Sequence, residues 1–206
     1  MKLPIPVFFT ATVIFTAVLA VKRAKHTRLQ NEANESFLER ERLANATRRK
    51  DISGLDYLPF SADALPLSNV SDPELLQHET VLKELSGKKI INLSMYSNTD
   101  LKLMYGPANL NELTECDDNY HLLASTLLSY ADRKISLGYA NDAVSILEYA
   151  MSLKIDSSKI YLLLAELYQK QNTPEKIEQI ADCVASMDKS FSAFLAPKLD
   201  AFRTAK

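Results

Sequence analysis

The 206 residues carry 24 Lys+Arg against 26 Asp+Glu, a formal net charge of −2, and 47% of them are hydrophobic. That length suits one or two domains with a core of their own, which excludes global disorder; two cysteines exclude a disulfide scaffold, and no basic excess points to a nucleic-acid partner. The four glycines stand singly at 54, 87, 106 and 138, so no glycine-rich phosphate cradle can be written.

The near-neutral total averages three unlike parts. Residues 1–21 carry one charged side chain, Lys2; residues 22–50 hold nine cations against four anions, a net of +5; residues 51–206 hold 14 cations against 22 anions, a net of −8. Residues 3–21 are uncharged, and 14 of these 19 are aliphatic, aromatic or alanine. At a rise of about 1.5 Å per residue a helix there spans about 28 Å, close to the ~30 Å hydrocarbon core of a bilayer. Residues 1–21 are therefore expected to be a transmembrane anchor whose helix starts near Ile5 or Pro6, since proline is tolerated in the first turn. A cleaved signal peptide, with Val18-Leu19-Ala20 as its processing site, is the rival; the single amino-terminal lysine, the length of the run and the basic cluster that follows weigh against it. Lys22, Arg23, Lys25 and Arg28 outweigh Lys2 and the α-amino group, so the positive-inside bias places a single-pass protein in the cell membrane with its carboxyl-terminal domain in the cytoplasm. A secreted or extracytoplasmic helical protein is the alternative.

Residues 22–50 read as a basic juxtamembrane helix, resting on anionic headgroups or solvated and laced with Glu–Arg pairs; both readings stay open. Residues 51–72, with Gly54, Pro59 and Pro66, form an extended connector. Its apolar residues are too many for a free linker, so part of it should lie on the following domain.

From residue 73 the pattern is helical. Ser71 or Asp72 caps a helix opened by Pro73, with Leu75, Leu76, Val81, Leu82 and Leu85 on one face and Gly87 as its stop. A second helical segment is expected over 88–96. Ser97 to Asp100 then caps a helix over 101–105, closed by Gly106-Pro107, and a short stretch at 110–113 leads to the acidic cap Asp117-Asp118-Asn119 of the next helix.

The strongest signal is a period. A shift of 34 residues aligns Leu128 with Leu162, Ala131 with Ala165, Gly138 with Asn172, Ile146 with Ile180 and Leu153 with Met187. The residues Gly138-Tyr139-Ala140-Asn141-Asp142-Ala143 through Leu147, Ala150 to Leu153, and Leu164-Ala165-Glu166-Leu167-Tyr168 resemble those of tetratricopeptide repeats, which have this helix–turn–helix period. The second unit departs from the family pattern, with Ile177 at an alanine position, Asn172 at the glycine and no proline after Met187. The resemblance implies an all-α protein: a transmembrane helix followed, over 73–206, by a tetratricopeptide-like solenoid, an ordinary helical bundle being the alternative. Its repeats lie at about 124–157 and 158–191, and the helices between 73 and 113 are packing partners that complete the stack. A capping helix at about 191–203 follows, with Phe191, Phe194, Leu195, Leu199 and Phe202 inward and Pro197 either kinking it or restricting the helix to its carboxyl-terminal half. The stretches 37–42, 49–53, 98–106 and 108–110 also resemble those of uncharacterised membrane-anchored bacterial proteins of the clostridial Firmicutes; that likeness implies a membrane address and brings no activity.

Nothing in the chain spells a catalytic or metal site. His26, His78 and His121 lack partners at metal-ligand spacing, Cys116 and Cys183 read as small buried thiols, and neither a nucleophile elbow nor a His-Glu-x-x-His motif occurs. A thiol site pairing Cys116 with His121 is disfavoured by the acidic Asp117-Asp118 beside it. The tetratricopeptide resemblance implies instead a non-enzymatic scaffold or adaptor that offers its first helices to a protein or peptide, without cofactor, metal or nucleic acid. The candidate partner-binding residues are Asp132, Lys159, Glu166, Gln169 and Lys170, with Ser125, Leu128, Ile135 and Leu162 beside them. An enzyme whose site is assembled from Asn98, Asp100, Lys102, Tyr105 and Asn109 is the alternative.

Overall fold

A computed structural model describes residues 5–67 and 71–204, and the side chains of Thr10, 13–67 and 71–203. Among the described residues there is no strand, and the helices are α1 (Ile5–Ala46), α2 (Pro73–Leu85), α3 (Asn98–Tyr105), α4 (Leu110–Ser136), α5 (Ala140–Ser152), α6 (Ser158–Lys170), α7 (Pro174–Ala185) and α8 (Lys189–Thr204). The chain is all-α. It divides into two compact units, Met1–Ile52 with Tyr96–Leu110, and Ser53–Met95 with Asn111–Lys206.

In the first unit α1 is one helix of 42 residues, about 63 Å long. Residues 5–21 and 22–46, expected as two segments, run together because neither Gly nor Pro intervenes between Pro6 and Gly54. Among the described residues no helix is long and apolar enough to cross a membrane. The run 3–21 lies partly outside them, at residues 3 and 4 and in the side chains of 5–9, 11 and 12. The helix stops at Ala46, short of Lys50, because the chain turns to meet α3: the Lys50 N–H donates to the Tyr105 carbonyl at 3.0 Å. Gly106 makes this approach possible, since its φ is +88° and a Cβ there would lie 2.7 Å from the Arg48 carbonyl oxygen.

Polar side chains hold α3 to α1. Ser97 and Asp100 form a capping box, Asp100 pairs with Arg40, and Glu41 accepts from Thr99 and, at 2.9 Å, from Lys102. These two bonds hold the Glu41 carboxyl below its ordinary pKa. Asn109 is fully buried; its amide donates to the Lys50 and Tyr105 carbonyls at 2.7 Å each, and its oxygen accepts from Arg49 at 2.8 Å.

In the second unit, Asp72 caps α2 by accepting from the Leu75 N–H at 3.0 Å, with Pro73 in the first turn. Leu75, Leu82 and Leu85 are buried, whereas Leu76, expected on the same face, is exposed. The preceding connector is part of the core through Phe60, Ala62 and Leu65. Its backbone is held by side chains of the helical layer: the Ser61 N–H donates to the Tyr149 hydroxyl, the Ala62 N–H to the Ser86 hydroxyl, and Lys134 donates to the Pro66 carbonyl.

Four sequence expectations are corrected here. Residues 88–96 are irregular, with a turn at 94–95, and not helical, because α4 satisfies their backbone laterally: the Ile91 N–H donates to the Cys116 carbonyl, the Leu93 N–H to the Asp117 carboxylate, and the Asn119 amide to the Lys89 carbonyl. Asp117-Asp118-Asn119 therefore lies inside α4, which begins at Leu110, and caps nothing. Pro197 neither ends nor splits α8, and Phe194 faces outward beneath the Lys198 ammonium, which stands 3.5 Å from its ring centroid.

The 34-residue spacing recurs in the backbone. Gly138 at φ +86° and Asn172 at φ +55° both take the left-handed conformation. The same pair of bonds closes α4 and α6: Tyr139 N to Lys134 O and Gly138 N to Ile135 O in one, Thr173 N to Tyr168 O and Asn172 N to Gln169 O in the other. Burial follows the same spacing, with Leu127, Ala131, Ala143, Ile146 and Ala150 matched by Tyr161, Ala165, Ile177, Ile180 and Val184. α6 packs on α5, α7 and α8.

Candidate functional site

A concavity of about 500 Å³ in the second unit lies between α4 and the start of α6. One wall is α4, with Tyr120, His121, Ala124, Ser125 and Leu128; Asp156, Ser157, Ser158 and Lys159 form the other, and Ser94 closes an end. Asp156 is the fixed point of this groove. Its carboxylate accepts from the Tyr120 hydroxyl and, at 2.8 Å, from the Asn92 amide, while its own N–H donates to the Tyr120 oxygen at 2.8 Å. Burial first, and the Asp156 carboxylate second, push the Tyr120 phenol well above its ordinary pKa, so it stays a neutral donor.

His121 brings Ser94 and Asp117 into one neighbourhood without making a nucleophilic relay of them. Ser94 Oγ stands 3.4 Å and Asp117 Oδ2 3.6 Å from the same ring nitrogen, Nε2, whereas a relay needs base and orienting acid on opposite nitrogens. The Ser94 hydroxyl proton is also engaged, donating to Asn92 Oδ1 at 2.7 Å. Cys116 is 3% exposed, and burial, more than Glu112, pushes its thiol up. Burial replaces the Asp117-Asp118 charge as the main reason for an inert thiol.

The five residues singled out for partner binding are not gathered on one surface. Lys159 lines the groove. Asp132, exposed on α4, senses the Lys159 charge, which lowers its pKa, but partial desolvation outweighs it and holds the carboxyl above its ordinary value. Glu166 and Lys170 pair with each other one turn apart at 2.7 Å. Gln169 borders a different hollow of about 280 Å³, with Ile177 and Phe202. Leu128 and Leu162 are half-buried against the core, while Ser125 is exposed and lines the groove.

Asp100, Lys102, Tyr105 and Asn109 do come together, but the side chains of Asp100, Lys102 and Asn109 and the Tyr105 carbonyl are engaged in joining α3 to α1, as described above. Sequence reasoning missed Tyr120, Asp156 and Asn92. Tyr120 lay on the apolar stripe it shares with Leu123 and Leu127, but its partners sit 36 and 28 residues away and leave no local pattern. Among the described residues no group of three or more His, Cys, Asp or Glu is placed to hold a metal ion. No protein-family model, curated protein or solved structure matches the chain.

Proposed function

We propose that this chain is a membrane-tethered scaffold or adaptor whose second unit, built of tetratricopeptide-like repeats, holds a protein or peptide in the groove between α4 and α6. The observation that carries the reading is the 34-residue recurrence of turn conformation, capping bonds and buried positions, which supports reading α4 and α6 as repeated first helices beside a groove open to solvent. Binding rather than catalysis is favoured because the polar groups nearest His121 are already paired with one another. Its acid-rich surface, −8 over residues 51–206, suits a protein and repels nucleic acid. The tether rests on the uncharged run 3–21 and on Val13, Ile14, Phe15, Val18 and Val21, all exposed on α1, with the basic residues that follow favouring a cytoplasmic second unit.

The test is site-specific photo-crosslinking in intact cells from a probe at Ser125. One defined protein should be captured, capture should fall at least about tenfold in Lys159→Glu, where about 1.4 kcal/mol of lost contact suffices, and it should persist in Lys170→Glu, whose ion pair lies outside the groove. Equal loss in both variants, or no defined product, refutes the groove as the binding surface.

A further inference from the structure

The basic collar is not one surface. Three of its later cations are paired within the protein: Arg40 with Asp100, Arg42 with Glu39 at 2.8 Å, and Arg49 with Asn109. Lys22, Arg23 and Lys25 make no ion pair or hydrogen bond among the described residues, and Arg28 reaches only Glu32, one turn further along the same exposed surface. Every side chain from 20 to 39 is exposed, and none of them bonds to another element among the described residues.

The placement of these four cations carries the argument. At about 100° per residue they stand on every side of α1, leaving no sector wider than about 140° without one. Val13, Ile14, Phe15, Val18 and Val21, just before them, are all exposed and cover about 200° of the helix, and the half-buried Leu19 falls in the sector they leave. A helix that lies along a membrane surface sorts apolar and basic residues onto opposite faces; α1 sorts them along its axis instead, apolar first and basic next. Thr16 keeps its hydroxyl within the helix, donating to the Val13 carbonyl at 2.9 Å, as a hydrocarbon surrounding demands.

We infer that Lys22, Arg23, Lys25 and Arg28 form a closed ring that binds the phosphate groups of anionic lipids where an upright α1 leaves the bilayer. The inference rests on the tether reading and deepens it: the lipid contact ends within about two turns, and Arg40, Arg42 and Arg49 further along serve the protein. The Arg40–Asp100 pair then stands about 27 Å along α1 from Lys22, clear of the headgroups.

Full-length protein reconstituted into nanodiscs of phosphatidylcholine mixed with phosphatidylglycerol, read by native mass spectrometry of the lipids it retains, tests the ring. Wild type should retain phosphatidylglycerol in preference, and the preference should drop by about fivefold per cation removed until it vanishes in the combined variant K22Q/R23Q/K25Q/R28Q. It should survive in R23K/R28K, which keeps the charges, and in R40Q/R42Q, which removes two cations outside the ring. Equal loss in R40Q/R42Q and the ring variant overturns the ring, as does an embedded wild type without preference. A wild-type protein that stays in the aqueous layer on vesicle flotation overturns the tether, and the ring with it.

Discussion

The ends of α4 and α6 solve one problem with opposite chemistry. Lys134 and Tyr168 stand 34 residues apart, both are buried at the closing turn of their helices, and each meets a residue in the first turn of the next helix, Asp142 and Lys176 respectively, again 34 apart. In the first pair the lysine is the buried partner, 1% exposed, bonded to Asp142 at 2.9 Å and to the Pro66 carbonyl at 3.2 Å, with the Tyr130 and Tyr139 rings 5.4 and 5.6 Å away. In the second the cation has moved to the outer position: Lys176 sits 5.0 Å from the Tyr168 ring and bonds to Glu148, which also accepts from the Tyr168 hydroxyl. What the repeat preserves is volume at the inner position and a polar link across the turn. The sign and type of that link are free to change.

The largest effect separates the two. Tyr168→Ala opens a cavity beneath α7 and should cost about 3–5 kcal/mol, while Lys134→Ala should cost about 2–3, because losing the buried cation also relieves its desolvation. Lys134→Met restores the volume, and since Asp142 is half exposed and can rehydrate, its cost should fall to about 1 kcal/mol. Native-state hydrogen exchange of α4–α7 amides in the full-length protein measures all three. Lys134→Met as costly as Lys134→Ala shows that charge, not volume, holds the first turn together.

Lys134 also shows what the sequence made legible. It falls on the stripe of Tyr120, Leu123, Leu127, Tyr130 and Ala131, spaced three and four apart, so its burial could be read from periodicity once a lysine was allowed on an apolar face. The start of α2 at Asp72-Pro73 and the cap at Ser97 to Asp100 were readable for the same reason, since each depends on neighbours within one or two turns, and the 34-residue register was readable because it repeats such local patterns. Residues 88–95 and the junction of α3 with α1 were not. Their partners, Asp117 for the Leu93 N–H and Glu41 for Thr99 and Lys102, lie 24 to 61 residues away and leave no period in the chain. Of the groove, Lys159, Ser125 and Leu128 were anticipated; its Tyr120–Asp156–Asn92 network depends on such distant pairing and was not.

The two turns differ in a smaller way at the left-handed residue. Gly138 has open space where a Cβ would be, so Gly138→Ala meets no clash and its cost is conformational alone, about 1–2 kcal/mol at φ +86°. Asn172 already carries a side chain at φ +55°, and Asn172→Gly should change stability by only a few tenths of a kcal/mol, a slight gain if relief of strain outweighs the added freedom of the unfolded chain. Local opening of the α4–α5 turn against the α6–α7 turn, again by hydrogen exchange, reads both. A Gly138→Ala protein as stable as wild type shows that the first turn has another accessible closure.

The smallest difference is in acid. One residue before the inner position, α4 carries Arg133 where α6 carries the buried Leu167. Arg133 grips Asp72, the cap of α2, through two bonds of 2.6 and 3.2 Å. The Arg133 guanidinium, followed by the Leu75 N–H, lowers the Asp72 carboxyl to about 2. Its unfolded value is near 4. A carboxylate depressed on folding contributes stability that is complete above its unfolded value and disappears as pH falls through its folded one, so this contribution drains between about pH 4 and pH 2. Asp72→Asn keeps a good helix cap while removing the charge, and should flatten that part of the profile of urea midpoint against pH, followed by tyrosine fluorescence in the full-length protein. Exchange in α2 and α4 should rise over the same window while α6 and α7 hold. A profile unchanged by Asp72→Asn means that the Arg133 pair adds nothing beyond the neutral cap, and that the two repeats are held alike in acid as well.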